Sequence, residues 1–277
     1  MRFAAYETSN GTGWGEVDGD VIWPQQARWP LLRDAIAQGV IAGATLPRDQ
    51  AAIPIEALRY APVIGNPGKI LCVGLNYENH RKETGRAEVQ HPTIFTRFAD
   101  SQVGHGLELI KPAESERLDY EGELAVIIGK AGRRISPAAA LDHVAGYSCY
   151  NDGSVRDWQA HSIQFGPGKN WPRTGAFGPW MVTPDEFGEL GPQRLQTRLN
   201  GALMQDARIS DMIFPVPEII AYVSTFTPLA PGDVIVSGTP GGVGAKRTPP
   251  VFMKVGDRVE VEIDGIGTLW NRIGEEA

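Results

Sequence analysis

The chain has 277 residues, of which 42% are hydrophobic and 21% charged, with a formal net charge of −7 and a pI near 5.3. This composition predicts a globular protein with a sizeable core, and its negative charge argues against nucleic acid or an anionic membrane as the main partner. The sequence contains no apolar run of spanning length and no signal-peptide core in MRFAAYETSNG, so a cytoplasmic protein is expected. Cys72 and Cys149 both lie in apolar segments and are expected to be buried, reduced thiols.

The first 60 residues are predicted to form a small β module. Three short strands are expected within residues 2–23, separated by Asn-Gly and Asp-Gly turns, and a helix is expected near residues 31–37. The stretch YAPVIGNPGK, residues 60–69, is rich in Pro and Gly and is typical of a boundary. We therefore predict an N-terminal β module over residues 1–60 and a larger domain over residues 68–277.

The larger domain is predicted to be β-rich with few helices. Asn200-Gly201 and Asp264-Gly265 each lie between strand-like segments, which predicts two hairpins. The clearest helix is PEIIAYVSTF, residues 217–226, which begins with Pro. Since strands and helices do not alternate as βαβ units, the fold class is α+β.

An acidic row occurs in LDYEGELAVIIGK, residues 118–130. If this segment is one strand, Asp119, Glu121 and Glu123 project from the same side, although its apolar end indicates burial. A hard divalent cation (Mg²⁺, Mn²⁺ or Ca²⁺) would stabilise such a row, with Asp152 at the end of the next predicted strand as a further ligand. The alternative is that these acids form ion pairs with Arg or Lys across a sheet. Zinc is disfavoured because no Cys/His cluster has zinc spacing.

A possible acid–base pair occurs in NYENHRKETGR, residues 76–86. On a helix, His80 and Glu83 would share a face, so the carboxylate could orient the imidazole and raise its basicity. The segment is too polar for a core and could form a mobile cover over a site. The alternative is a solvated helix with an ordinary contact between residues three positions apart.

Further polar residues could serve an anionic substrate. The glycines of VSGTPGGVGAK, residues 236–246, suggest exposed N–H groups suited to a carboxylate, although a purely structural loop explains them equally well. Arg156 and Gln159 follow Asp152 at spacings that share a helix face, and Lys169 lies among glycines. Taken singly, each of these side chains could also be an ordinary surface group.

Taken together, these segments resemble the fumarylacetoacetate hydrolase family. The resemblance rests on pieces that run in family order from about residue 68 to the C-terminus: KILCVGLNYENH, LDYEGELAVIIGK, AGYSCYNDGSVRDWQ, the Asn-Gly hairpin with Gln205, DMIF, LAPGDVIVSGTPGGVG and VGDRVEVEIDGIGTL. It implies a mixed β-roll fold with few helices, preceded here by the small N-terminal β module, and a homodimer.

The resemblance also implies the roles of individual residues. Mg²⁺ or Mn²⁺ would be held by Glu121, Glu123 and Asp152, which leaves Asp119 beside the ligands and corrects the strand-face argument. His80 and Glu83 would form a catalytic dyad on a lid. The remaining matches would hold a 2-oxo acid: Lys169, Arg156, Gln159 and Thr239.

The resemblance implies an enzyme, and the dyad favours hydrolysis. The expected reaction is cleavage of a carbon–carbon bond in an acylpyruvate or related 2,4-dioxo acid through a metal-stabilised pyruvate enolate. Alternatives are an oxaloacetate decarboxylase, a 2-oxo acid isomerase or hydratase, and a non-catalytic metal-bound scaffold. Pro172 and Arg173 replace an Asp-containing pattern of the family, and His105 stands where smaller residues are frequent, so the site for the distal end of the substrate is left open.

Overall fold

The protein is built mainly of β-strands with few helices, as the sequence predicted. Its structure, a computed structural model, describes residues 1–41, 43 and 45–276. The strands are β1 Arg2–Thr8, β2 Gly11–Asp18, β3 Val21–Pro24, β4 Ile53–Pro54, β5 Ile70–Gly74, β6 Thr93–Arg97, β7 Gln102–Val103, β8 Glu108–Lys111, β9 Leu118–Asp119, β10 Gly122–Ile128, β11 Val144–Asn151, β12 Ser154–Val155, β13 Gly175–Val182, β14 Arg194–Leu199, β15 Ala202–Arg208, β16 Val234–Val236, β17 Arg258–Ile263 and β18 Gly267–Glu275. The helices are α1 Leu32–Ala37, α2 Glu78–Thr84, α3 Arg156–Gln159, α4 Gly166–Lys169, α5 Pro184–Phe187 and α6 Val216–Phe226. In the described part of the chain, every helix is too short or too polar to cross a membrane.

The larger sheet has eleven strands, in the order β4-β3-β2-β1-β13-β11-β10-β16-β5-β6, with β7 paired beside β13. Strand β10 lies between β11 and β16, so every residue from Gly122 to Ile128 is buried. The antiparallel register pairs Gly122 with Asn151, and the Asp152 N–H donates to the Glu121 carbonyl at 2.8 Å. The start of β10 and the end of β11 therefore bring acids together from two segments.

The N-terminal strands continue this sheet. Strand β1 pairs with β13, with Arg2 opposite Val182 and Phe3 opposite Met181. Phe3 also shares a buried cluster with residues of the central strands, including Ala125. The chain thus joins residues some 180 positions apart, while the proposed division into two domains stays a prediction.

A second sheet has the order β15-β14-β17-β18-β8. It shares one hydrophobic core with the large sheet, in which Leu124 and Cys149 accompany Leu195, Val261 and Leu269. Both predicted hairpins occur in this sheet, as β14–β15 and β17–β18. Cys149 and Cys72 are free and buried, as expected.

The predicted continuous acidic strand was wrong. Asp119 lies in β9, which pairs with β12, whereas Glu123 lies in β10 of the large sheet. The chain changes partner at Tyr120 and Glu121, so the alternation of a single strand does not run through all three acids. This break directs Asp119 to a different set of contacts.

Candidate active site

Three buried carboxylates form the centre of the candidate site. Glu121, Glu123 and Asp152 each place one carboxylate oxygen within 4.8 Å of the others. Strand β10 supplies Glu123 directly, and the residues at the ends of β10 and β11 supply the other two. The structure thus brings together the three acids predicted as metal ligands.

Two cations neutralise part of this charge. Lys169 Nζ donates to Glu121 Oε2 at 2.7 Å and to Asp152 Oδ2 at 2.5 Å. Arg156 Nη1 lies 2.7 Å from Glu121 Oε1. Glu123 instead accepts the N–H of Gly238 at 2.6 Å, and none of the ion pairs among the described residues includes it. Ion pairing, the alternative interpretation of the acidic row, therefore applies to Glu121 and to Asp119, whose Oδ2 lies 2.8 Å from Arg156 Nε, but not to Glu123.

The electrostatics distinguish the two glutamates. Burial raises the pKa of Glu123, and the charges of Asp152 and Glu121 raise it further. Burial also acts to raise the pKa of Glu121, but Arg156 and Lys169 outweigh it and hold that pKa below its usual value. A carboxylate with no ion pair beside two others is a costly arrangement that a divalent cation would relieve. The three oxygen donors fit a hard cation, with Mg²⁺ and Mn²⁺ as the predicted ions.

Lys169 remains a cation despite its burial. Burial acts to lower its pKa, but Asp152 and Glu121 raise it above the usual value. Its ammonium group therefore bridges two predicted ligands, and a catalytic role for it stays a prediction.

Asp119 lies behind the triad and fixes Arg156. Its Oδ2 accepts from Arg156 Nε at 2.8 Å, and its carboxylate also accepts the N–H groups of Gly244 and Ala245 at 2.8 and 3.0 Å. Arg156 in turn donates from Nη1 to Gln159 Oε1 at 3.0 Å, which joins the two predicted substrate-binding residues. Asp119 therefore orients a neighbouring side chain.

The predicted contact between His80 and Glu83 is formed on α2, and their acid–base role stays a prediction. His80 Nδ1 lies 2.7 Å from Glu83 Oε1, and the imidazole is buried. Glu83 Oε2 accepts the N–H of Gly242 at 2.9 Å. Burial acts to raise the pKa of Glu83, but the bonds from His80 and Gly242 bring it below its usual value, so the carboxylate is ionised at neutral pH.

The glycine-rich loop links the dyad to the triad. Besides holding Glu123, Glu83 and Asp119 through the N–H groups described above, it donates from Gly241 N–H to Asn79 Oδ1 at 3.0 Å. A Cβ on Gly238 (φ +104°) would lie 2.5 Å from Cβ of Asn76, so glycine allows this close approach. The N–H groups expected to bind a substrate carboxylate therefore position protein side chains instead.

Thr239 in the same loop also has protein partners. Its hydroxyl donates to the Gly122 carbonyl at 3.0 Å and accepts from Gln205 Nε2 at 2.7 Å. Gln205 Oε1 accepts the Gly122 N–H at 2.9 Å, which ties the loop to β10. A direct role for Thr239 in substrate binding stays a prediction.

Two contributors were missed at the sequence level, Arg97 and Asn79. Asn79 holds α2 against the glycine-rich loop, and Arg97 contacts Asp152 from strand β6. Each acts on a segment distant in sequence, and the residues around them carry no local motif for that contact.

We expect Asn79→Ala to loosen α2 without removing a catalytic group. The change removes two hydrogen bonds to Asn79 Oδ1, from the Gly241 N–H and from the His80 N–H. Each is worth about 1 kcal/mol, so amide exchange in α2 should become at least roughly fivefold faster. Hydrogen exchange followed by mass spectrometry measures this change, with Lys82→Ala on the exposed side of α2 as the control. Equal exchange rates in both variants would contradict the idea that Asn79 holds α2 against the glycine-rich loop.

The residues that depart from the family pattern lie away from the triad contacts. His105 packs between Tyr60 and Trp270, with ring centroids 4.9 and 5.4 Å away, and burial together with Arg258 lowers its pKa to about 4. It lines an open cleft of about 1000 Å³ whose walls contain none of the predicted site residues. Arg173 donates from Nη2 to the Glu108 carbonyl at 3.2 Å.

Comparisons with known proteins agree with this arrangement. The family model for the C-terminal part of fumarylacetoacetate (FAA) hydrolase matches residues 69–274. Oxaloacetate tautomerase YisK of Bacillus subtilis (strain 168) is 44% identical over 223 residues, which is 79% of this chain and 74% of that protein. The mitochondrial oxaloacetate tautomerase FAHD2B of Bos taurus is 36% identical over 268 residues, 95% of this chain and 85% of that one. The solved structure of fumarylacetoacetate hydrolase (EaFAH) from psychrophilic Exiguobacterium antarcticum is 34% identical, covers 100% of both chains and has a TM-score of 0.86. The chain therefore belongs to the fumarylacetoacetate hydrolase family.

Proposed function

We propose that this protein is a metal-dependent enzyme that interconverts the keto and enol forms of a small 2-oxo acid, with an oxaloacetate-like dicarboxylic acid as substrate. The observation that carries the proposal is the carboxylate triad with a His–Glu dyad, both held by one glycine-rich loop. Further support comes from the two relatives named oxaloacetate tautomerases.

The dyad is suited to move a proton at the carbon next to the oxo group. Because Nδ1 of His80 faces the ionised Glu83, it carries the hydrogen and leaves Nε2 as the base. In our proposal Nε2 removes a proton from that carbon, the C–H electron pair forms the C=C bond while the C=O π pair moves onto the oxo oxygen, and that oxygen then takes the proton from Nε2 to give the enol. When bound, a divalent ion supplies a Lewis acid that stabilises negative charge on the oxygen.

Arg156 is suited to hold the substrate carboxylate. Its Nη2 is buried, and no hydrogen-bond partner for it is found within the described residues. A buried guanidinium N–H without a partner is costly, and a carboxylate oxygen would satisfy it. Asp119 and Glu121 fix the other side of the same guanidinium, so the free N–H group has a set direction.

Carbon–carbon hydrolysis, the reaction favoured from the sequence, is the second candidate. The same dyad could activate a water for attack on a carbonyl, and the similar solved structure is named a fumarylacetoacetate hydrolase. Decarboxylation of oxaloacetate would require no activated water. The homodimer and the cytoplasmic location stay predictions.

The two candidates differ in their products. We expect the protein with Mg²⁺ or Mn²⁺ to accelerate loss of the enol ultraviolet absorbance of oxaloacetate and deuterium incorporation from D₂O, without forming pyruvate. The acceleration of both processes should disappear when a chelator is added. Pyruvate from acetylpyruvate would favour hydrolysis, pyruvate from oxaloacetate would favour decarboxylation, and no metal-dependent change in either substrate would contradict the proposal.

A further inference from the structure

Arg97, at the end of β6, is an unexplained buried charge beside the triad. The side chains of Arg97 and Asp152 are both 0% exposed, and Nη1 lies 2.5 Å from Oδ1. Buried ion pairs are weak evidence for stability, because desolvation of the two charges offsets much of their attraction. Stability alone is therefore a poor reason for an arginine at this position.

The guanidinium is held in one orientation. Nη1 also donates to the Gly153 carbonyl at 2.9 Å, and Nη2 donates to Thr174 Oγ1 at 2.8 Å. The Thr174 hydroxyl donates onward to the Trp171 carbonyl at 2.8 Å. A Cβ on Gly175 would lie 2.9 Å from Cζ of Arg97, so glycine leaves room for the planar group. Two chain segments, around Gly153 and around Thr174, thus fix the orientation of the guanidinium.

Arg97 and Lys169 divide the two oxygens of Asp152 between them. Arg97 takes Oδ1 and Lys169 takes Oδ2, which fixes the plane of this carboxylate. A lysine in place of Arg97 would supply a charge but not the rigid fork that also reaches Gly153 and Thr174. Orientation of a ligand by such contacts commonly changes metal affinity by about 10–100-fold.

We propose that Arg97 is a positioning residue that sets the Asp152 carboxylate to bind a divalent cation together with Glu121 and Glu123. The role rests on the metal site of the proposed function and is independent of which reaction follows. Asp152 follows the end of β11, outside the strand ladder, so the contact with Arg97 from β6 fixes a side chain that the sheet itself does not hold.

The test is Mn²⁺ affinity measured by calorimetry without substrate. We expect Arg97→Lys to weaken binding by about 10–100-fold. Thr174→Val removes one acceptor from the fork and should weaken binding by a smaller factor. Arg198→Lys, in a half-buried pair with Glu262 on the second sheet, is the matched control and should keep wild-type affinity.

A purely structural Arg97 would give a different result. In that case folded Arg97→Lys, checked by circular dichroism, would melt at a lower temperature but bind Mn²⁺ as the wild type does, which would overturn the proposal. If Arg97→Lys does not fold, wild-type affinity in Thr174→Val would overturn it equally. Absence of Mn²⁺ binding by the wild type would remove the metal site and this role together. Normal Mn²⁺ binding without tautomerisation would contradict only the proposed reaction.

Discussion

Glu123→Gln is expected to abolish tight divalent-metal binding and to lower turnover by at least about 10³-fold, because a metal supplies several kcal/mol of charge stabilisation. The same change should raise the melting temperature of the metal-free protein by a few degrees. It removes a buried carboxyl group whose charged form is disfavoured by burial and by Asp152 and Glu121, and the carboxamide oxygen can still accept the Gly238 N–H.

A change at Glu121, the neighbouring predicted ligand, should have the opposite effect on the stability of the metal-free protein. Glu121→Gln is also expected to abolish activity, but it leaves Arg156 and Lys169 without their shared carboxylate. Removing one partner of a buried pair typically costs about 3–5 kcal/mol, so this variant should be less stable than the wild type. The two changes are nearly isosteric and lie two residues apart. Their opposite effects on stability would distinguish Glu123, a predicted ligand without an ion pair, from Glu121, a predicted ligand with two.

Metal affinity, turnover and metal-free melting temperature measure these effects. Glu262→Gln, a change at a half-buried glutamate in β17 that pairs with Arg198, controls for loss of a paired carboxylate away from the triad. Full metal-dependent turnover by Glu123→Gln would show that the triad is not the metal site. A fall in the melting temperature of the metal-free variant would show that Glu123 is better compensated than its contacts indicate.

Local patterns predicted the elements that depend on local physics. Asn200 and Gly201 adopt φ of 52° and 81°, the left-handed backbone that a tight Asn-Gly hairpin requires. The predicted helix at residues 217–226 corresponds to α6, Val216–Phe226. Such features follow from neighbouring residues, so the sequence was sufficient to place them.

Long-range contacts explain what the sequence left open. The pairing of β1 with β13 and the Arg97–Asp152 contact join segments far apart, and no local period encodes the partner. The alignment of Asp119 with Glu123 failed for a related reason, because β9 and β10 pair with different strands. The two glutamates were still found, since a near-continuous apolar run makes acids at its start conspicuous, and the family resemblance then selected them together with Asp152.

Removing His80, the proposed base on α2, should lower turnover strongly while metal binding survives. We expect His80→Ala to reduce kcat by about 10²–10⁴-fold, the usual scale of general acid–base catalysis. Neither residue of the dyad belongs to the carboxylate triad, so Mn²⁺ affinity should stay within a few-fold of the wild type. Glu78→Gln, an exposed change on the same helix, should leave turnover nearly unchanged.

Glu83→Gln tests the direction of the proton more sharply. The Gly242 N–H donates to one oxygen of Glu83, so in the variant it should hold the carboxamide oxygen and turn the NH₂ group toward His80. The NH₂ group would then donate to Nδ1, which places the imidazole hydrogen on Nε2 and removes the base from the site. We therefore expect Glu83→Gln to lose nearly as much kcat as His80→Ala, although the hydrogen bond from the Gly242 N–H still ties the helix to the loop.

Proton NMR of the imidazole reports the tautomer, and deuterium exchange into oxaloacetate reports the proton transfer. A variant with the altered tautomer and normal exchange would show that His80 is not the base. Normal exchange with the original tautomer would instead show that the amide has rotated and that Gly242 does not control it.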